Sequence, residues 1–310
     1  MTSDLIPEVL WSYAPDFGAY EEAGTPEWLD ELDLTPAPPF LKMGTRVVDA
    51  DDCLRIDQFR GPELALRQRL LDEQHDVVFA ASPSADDASL ETLELVQRFL
   101  GDQGLAESVS ATTADSGTRV HPLEVAGRLV QEDLCLMIQR DGDWHLDAAV
   151  LCFPSLWSLR EKFAQPTHGL HGGVAHYADE LSPRVDRFFD RLRPGQAVWR
   201  RNLSIKAYPL LFLPQRKAFG TTTEIATASD GSPFWLRTER QTLQRLPRSG
   251  AILFTIKLQL APARVLLARP DRARDLLALY QSLDPELTSY KTAGNPLSDS
   301  FLPWLSRLAG

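Results

Sequence analysis

The sequence predicts an α+β fold in which helices cover one face of a five-stranded antiparallel sheet. An Asp-Gly turn between two apolar, partly alternating runs predicts a β-hairpin over 132–153. Three further strand-like runs follow between residues 196 and 263, and helical patterns precede and separate the strands. We expect four regions along the chain: an extended N-terminal arm over 1–60, a helical region packed on the core over 61–131, a core over 132–263 and a C-terminal helical segment over 264–310.

The region before the hairpin is predicted to be irregular first and helical afterwards. Residues 1–60 are rich in proline and acidic residues, so we expect an arm with little regular structure of its own. Leucines near helical spacing predict a helix over 61–77. The clearest amphipathic pattern lies at 86–102, with Asp at its start and Gly near its end. Pro122 suits the first turn of a short helix over 121–131.

The core begins with the hairpin around "RDGD" and then alternates helices and strands. Helical patterns occupy 154–165 and 183–195, and a last helix is predicted over 271–287. The strand-like runs between them are 196–208, 232–247 and 250–263. Two strands, then helices, then three strands is the element order of a PAS-type domain, a five-stranded antiparallel sheet with helices cupped over one face.

Composition indicates a globular protein and argues against several partners. The chain has 310 residues, 44% hydrophobic and 24% charged, with a net charge of −11. This acidic balance repels phosphate backbones and anionic membranes, so we expect neither nucleic acid nor membrane as a partner. The N-terminus lacks a secretory pattern, and no apolar stretch approaches 18 residues. Three widely spaced cysteines indicate a reducing compartment, and we expect a cytoplasmic protein.

Three of the six histidines lie in one short segment, "PTHGLHGGVAHY", residues 166–177. A zinc site, a haem ligand, a catalytic base and a loop without special chemistry are all open interpretations. The spacing of His168, His171 and His176 matches no standard zinc pattern, and no acidic residue lies between them. Cys152 lies in an apolar strand pattern, and no G-x-S-x-G motif is present. Phosphate-binding glycine loops are also missing, so a redox activity needs electrons from a partner.

A haem ligand is a good use for an isolated histidine. Haem iron needs one axial nitrogen, an apolar slot for the ring and cations for the propionates. The apolar residues around His171 suit the slot: Phe163, Leu170, Val174 and Tyr177. The later strands bring cations: Arg200, Arg201, Arg237, Arg240 and Arg245.

The run "LRTERQTLQRLPRSGAILFTIK" at 236–257 reads as a charged strand, a turn and an apolar strand. Period-two alternation puts Arg237, Glu239 and Gln241 on one face and Arg240 on the other. A solvated face is the simplest interpretation of such alternating charges. An ion pair between Arg237 and Glu239 that lines a cleft is the functional one.

Together with other segments, this run resembles the alpha subunits of haem-dependent oxidative N-demethylases. The resemblance spans about 40–290 and is strongest at 236–256, where "LR-x-ERQTL-x-RLP-x-x-GA-x-LFTI" is matched almost letter for letter. The other matching segments are "KMGTR", "HPLEVAGRLVQEDLCLM", Trp144 with Leu146 and Ala148 before "CFPSLW", Glu161–Lys162 before "LHGGVAHY", "FFDRL" and "VWRRNLSI".

The resemblance implies a PAS-like fold that binds haem b and uses dioxygen to remove a methyl group from a small secondary alkylamine. The carbinolamine formed from the substrate breaks down to amine and formaldehyde, and electrons come from a separate flavin and iron–sulfur reductase component. The histidine of the family falls on His171, which becomes the expected iron ligand, with Tyr177 beside it. We expect Arg200 and Arg237 to contact the propionates. Arg240, near bound oxygen, and Glu239 are the expected catalytic residues.

Departures from the family pattern leave a second interpretation open. Two prolines of the family are Gly173 and Ala175 here, a tryptophan is Leu203 and an arginine is Lys257. Changes of this kind are compatible with a different amine substrate. They are equally compatible with a haem-binding PAS-type sensor, or another non-catalytic haem protein, that has lost the reaction.

Overall fold

The computed structural model describes residues 8–36, 44–105, 120–170, 182–214, 229–231, 234–283 and 297–310. It confirms a mixed fold of helices with an antiparallel sheet, and the sheet has seven strands rather than the expected five. The strands are β1 Arg46–Val48, β2 Phe79–Ala81, β3 Asp133–Arg140, β4 Asp143–Val150, β5 Ala197–Lys206, β6 Trp235–Arg245 and β7 Ile252–Pro262. Their order across the sheet is β1-β5-β6-β7-β3-β4-β2.

Helices lie before, between and after the strands. The N-terminal segment, expected to be extended, carries three short helices of four to six residues. Three short 3₁₀ helices, Ala50–Asp52, Pro83–Ala85 and Ala263–Ala268, complete the described elements. The α-helices are α1 Glu8–Trp11, α2 Phe17–Glu22, α3 Trp28–Glu31, α4 Arg60–Glu73, α5 His75–Val78, α6 Asp86–Asp102, α7 Pro122–Leu129, α8 Leu159–Lys162, α9 Thr167–Leu170, α10 Ser182–Arg191, α11 Pro270–Ser282 and α12 Leu297–Ala309.

The β3–β4 hairpin forms where the Asp-Gly signal predicts it. Asp141 and Gly142 have φ values of 53° and 93°, which two-residue hairpin turns of type I′ require. The register pairs Arg140 with Asp143 and continues to Leu134 with Val150, with one irregularity after Leu136. On its other side β3 pairs with β7, from Asp133 opposite Ile256 to Met137 opposite Ile252.

The chain divides into two compact units, and the division falls within β5, β6 and β7. The major unit comprises Met43–Arg200 and Arg240–Lys257, and the minor unit comprises the remaining residues. In the major unit, α7 packs closely against β4. A Cβ atom on Gly127 would lie 2.6 Å from the Val150 side chain, so this helix position requires glycine.

An aromatic cluster forms the core of the minor unit. The Phe301 ring packs edge-to-face against Phe234 at 5.2 Å and contacts Trp304 at 5.6 Å. Gly231 has a φ of 86°, and a Cβ atom there would lie 2.4 Å from the Trp304 ring. Both the backbone conformation and the close approach therefore require glycine at this turn.

No helix in the described part of the chain combines the length and apolar character needed to cross a membrane.

Candidate functional site

Trp144 in β4 contacts Thr167, near the start of the histidine segment 166–177, and two residues near the end of α10. Its indole Nε1 donates a 2.9 Å hydrogen bond to Asp190 Oδ1 in α10. Its ring packs edge-to-face on Phe189 at 5.7 Å, and the Arg245 guanidinium lies 5.7 Å from the ring centroid. The tryptophan is 1% exposed, so a single buried side chain fixes the end of α10 relative to the sheet.

The segment before His171 is attached to the same strand. Thr167 Oγ1 donates to the Trp144 carbonyl at 2.9 Å, and the threonine itself is buried. Backbone bonds join Leu146 N to Gln165 O at 3.1 Å and Ala164 N to Leu146 O at 2.8 Å. Lys162 Nζ donates to the carbonyl of Gly169 at 3.1 Å, which holds α9 against α8. The residues just before His171 are therefore fixed on β4.

Arg245 strengthens the attachment of α10. Its Nη1 donates to the carbonyls of Asp190 and Leu192 at 3.4 Å each, at the end of α10. A cation at a helix C-terminus interacts favourably with the helix dipole. The sequence motif around Trp144 and the "FFDRL" segment both belong to the family resemblance, yet their direct contact was not predicted. No sequence pattern links a β4 indole to a carboxylate 46 residues later.

His171 and Tyr177, expected to bind the cofactor, lie outside the described residues, as do Gly173 and Ala175. His168 falls in α9. Their roles stay predictions.

Arg200, an expected propionate contact, is half-buried on β5 in the major unit. Its Nε donates a 2.6 Å hydrogen bond to Gln241 Oε1 on β6. This bond positions the guanidinium group beside the strand.

Arg240 lies on the opposite face of β6 from Gln241 and is 1% exposed. Its Nη1 and Nη2 donate to the carbonyls of Cys53 at 3.2 Å and Asp52 at 2.6 Å. The guanidinium carbon also lies 5.6 Å from the Trp199 ring centroid. Thr242, two residues along, donates toward the same Cys53 carbonyl. This face of β6 is thus covered by the segment around Cys53.

Arg237 and Glu239 belong to the minor unit. Arg237 is fully buried and donates to the carbonyls of Leu210 and Leu211. Glu239 is half-buried on the same strand. The carbonyl contacts show that Arg237 stabilises the segment after β5, whatever else it binds.

A buried charge network lies at the start of β3. Asp133 Oδ1 accepts from Arg67 Nη1 at 2.7 Å and from Cys152 N at 2.7 Å. Asp133 Oδ2 accepts from Phe153 N at 3.0 Å. Glu132, beside it, accepts from Arg55 N at 2.9 Å, and burial raises its pKa against the opposing charge of Lys257. These contacts give the residues a structural role in joining α4, β3 and the segment after β4.

The buried thiols are unsuited to bind haem iron. Burial raises the pKa of Cys53 to about 11 and that of Cys152 to about 12, so both thiols stay protonated and are poor metal ligands at neutral pH. Three imidazoles whose side chains the structure describes contact other groups: His75 contacts Glu124, His121 caps α7 and His145 contacts its own hairpin. Within these ranges, no group of three or more His, Cys, Asp or Glu residues could hold a metal ion.

Among the described residues, Arg200 and Arg245 are cations of the kind that contact haem propionates. Their partners in the structure are Gln241 and two backbone carbonyls. His171, the predicted axial ligand, lies outside the described residues.

A comparison with known families agrees with these observations. Residues 44–296 match the family described as "Haem-dependent oxidative N-demethylase, alpha subunit-like". The matched region includes the hairpin, the histidine segment and the whole of β6 and β7. The chain therefore belongs to the haem-dependent oxidative N-demethylase alpha-subunit-like family.

Proposed function

We propose that this protein is a haem-dependent monooxygenase that removes a methyl group from a small secondary alkylamine. It uses dioxygen and electrons from a separate flavin and iron–sulfur reductase component, and it releases formaldehyde. The family match over residues 44–296 is the observation that carries this proposal.

We also propose that the core of the fold is PAS-like. Strands β5-β6-β7-β3-β4 are neighbours in this order across the sheet. The first strand of the core, β3, therefore lies beside its last strand, β7. This order brings the two chain ends of the core side by side at the middle of the sheet, as in a PAS domain. On this proposal β1 and β2 are additions at the two edges.

His171 is the proposed iron ligand, with Tyr177 beside the cofactor. Arg200 is the proposed propionate contact in the major unit, since Gln241 already orients its side chain. Arg237 stays a proposed propionate contact, although its bonds to Leu210 and Leu211 favour a structural role. Bound haem b supplies the capacity to activate dioxygen for oxidation of the methyl group.

The remaining work falls to polar side chains of the chain itself. Glu239 is the proposed partner for the ammonium group of the amine, because a half-buried carboxylate attracts a cation and orients its methyl group. Arg240 was predicted to stabilise charge on oxygen, yet its contacts with the Cys53 and Asp52 carbonyls favour a structural role. The variant Arg240→Lys distinguishes the two roles, since a structural role affects stability and a catalytic role affects the reaction rate.

A haem-binding sensor without turnover is the second candidate. It is favoured by Leu203, which is 6% exposed in β5 at a position where the family pattern has tryptophan. Exchange of a tryptophan for a leucine at a buried site changes the volume and polarity of its surroundings. A change of amine substrate would equally explain a leucine at this position.

Formaldehyde release distinguishes the two candidates. Haemin-reconstituted protein is mixed with candidate secondary amines, dioxygen and a chemical or protein electron donor. We expect formaldehyde to form with at least one small amine and with an added donor, but not with NADPH alone, because the sequence lacks dinucleotide-binding loops. Haem binding without formaldehyde from any amine supports the sensor, and direct reduction by NADPH contradicts the need for a partner.

A further inference from the structure

A groove of about 530 Å³ runs along α6 in the major unit, and Trp144 is not among the residues that line it. One wall is formed by α6 residues from Glu91 onward together with Gln103 just after the helix, and the other by the turn between β6 and β7. With a helical rise of 1.5 Å per residue, this wall is about 18 Å long. Apolar side chains line its middle: Leu54, Leu95, Phe99 and Leu246. We call it the α6 groove.

The α6 groove carries an excess of negative charge. Four carboxylates line it, from Asp51, Glu91, Glu94 and Asp102, against two guanidinium groups, from Arg98 and Arg248. The field in a cleft lined mainly by one sign of charge attracts ligands of the opposite sign. A cationic ligand is therefore favoured.

Two of the carboxylates have structural partners and two do not. Glu91 accepts hydrogen bonds from the backbone nitrogens of Arg248 and Ser249 at 2.9 and 2.8 Å, and Glu94 pairs with the Arg248 guanidinium. Among the residues that the structure describes, Asp51 and Asp102 have no side-chain hydrogen bond or ion pair. These two carboxylates are available to a ligand.

Asp102 is unfavourable for the helix that carries it. It is the last residue of α6, and the last turn contains no basic residue. A negative charge at a helix C-terminus opposes the helix dipole, so α6 is not stabilised by this side chain.

Gln244 gives an independent sign of a ligand. It is 6% exposed and lines the α6 groove. Its buried Oε1 accepts no hydrogen bond from any residue in the described ranges. An unsatisfied buried acceptor is costly, and a ligand N–H that reaches it removes the cost.

From these observations we infer that the α6 groove binds a linear aliphatic polyamine. Its ammonium groups pair with Asp51 and Asp102 and donate to Gln244 Oε1, while its methylene segments lie on Leu95 and Phe99. A methylene chain suits the apolar middle because it has no polar groups to satisfy there. An extended basic peptide would bury backbone N–H and C=O groups against the same side chains without partners.

Calorimetric titration of the full chain with spermidine at low ionic strength tests this inference. We expect saturable binding that weakens with added salt. The double variant Asp51→Asn/Asp102→Asn should weaken binding about tenfold. Gln244→Met, which keeps the size of the side chain but removes the amide, should weaken it about fivefold.

The matched control is Asp141→Asn/Asp143→Asn. It removes the same charge from exposed residues of the β3–β4 hairpin, outside the groove. We expect it to bind spermidine as the wild type does. An equal loss in both double variants would mean non-specific attraction to an acidic protein and would overturn the inference, as would no binding by the wild type. The assay needs neither haem nor turnover, so its result is independent of the proposed demethylase activity.

Discussion

Arg240 is the residue whose predicted role and observed contacts differ most. Its guanidinium fork donates to the Cys53 and Asp52 carbonyls and lies over Trp199. We expect Arg240→Lys to lower the free energy of unfolding by about 1–2 kcal/mol, because lysine keeps the charge but loses the planar fork. Denaturant titration measures the free energy of unfolding of the variant, and a formaldehyde assay measures its rate of demethylation. Unchanged stability with a loss of formaldehyde-release rate on the order of 10²–10³ would instead support the predicted role of Arg240 in stabilising charge on oxygen.

Asp133 is expected to be structural. Its carboxylate accepts from buried Arg67 and from two backbone nitrogens. Asp133→Asn leaves the Arg67 charge buried without its counter-ion and should cost about 3 kcal/mol of stability. Asp143→Asn on the exposed hairpin is the control and should stay within about 0.5 kcal/mol of wild type. A loss below about 1 kcal/mol in Asp133→Asn would show that the network relaxes around the change.

At the scale of elements, the attachment of α9 and α10 to β4 is the feature that bears most directly on the proposed haem site. Trp144→Phe removes the Nε1 donor to Asp190 and keeps most of the ring contact with Phe189. We expect the haem dissociation constant to rise about tenfold, since the flanks of the ligand segment become less fixed. Haem transfer to an apoglobin acceptor provides the measurement.

Trp199→Phe is the matched control for that experiment. Trp199 is half-buried on β5 and contacts Arg46 and Arg240. It should leave haem affinity unchanged. Similar losses in the two variants would mean that Trp144 supports the fold in general rather than the histidine segment.

The sequence predicted long elements with strong local signals and missed short ones. The hairpin was predicted because Asp141 and Gly142 form a turn that few residue pairs adopt, and β7 because its apolar run is long. Strands β1 and β2 have three residues each, too few for an alternating pattern. They pair with strands far along the chain, so only the tertiary structure brings them into the sheet.

Within the candidate site, the contacts of the side chains could not be predicted from the sequence. The family motif pointed to Arg240, but local alternation could not tell which face of β6 the Cys53 segment covers. The contact between Trp144 and Asp190 joins a strand to a helix across the histidine segment, and it depends on packing that no local pattern encodes.

Across the whole molecule, the thiols are expected to be inert. All three cysteines are buried and free, and burial raises their pKa values. Ellman's reagent near pH 8 should therefore label no thiol quickly in the native protein and three after unfolding. Rapid native labelling of any one cysteine would contradict the burial.

The raised pKa values of the cysteine thiols also predict a loss of stability at alkaline pH. A thiol that stays protonated in the folded state but ionises near pH 9.0 when unfolded stabilises the fold fully below that pH. For Cys53 this contribution is lost as the pH rises from 9.0 to about 11. Cys53→Ala should reduce the slope of unfolding free energy against pH in this window. An unchanged slope would mean that other groups cause the decline.

The absorption spectrum of haemin-reconstituted protein tests the proposed iron ligand most directly. The wild type should show the Soret band of histidine-ligated haem, and His171→Ala should lose or strongly weaken it. His168→Ala and His176→Ala, which change histidines of the same segment, should keep the wild-type spectrum. A wild-type spectrum from His171→Ala would contradict the ligand assignment, and a wild-type protein that binds no haem would contradict the proposed function as a whole.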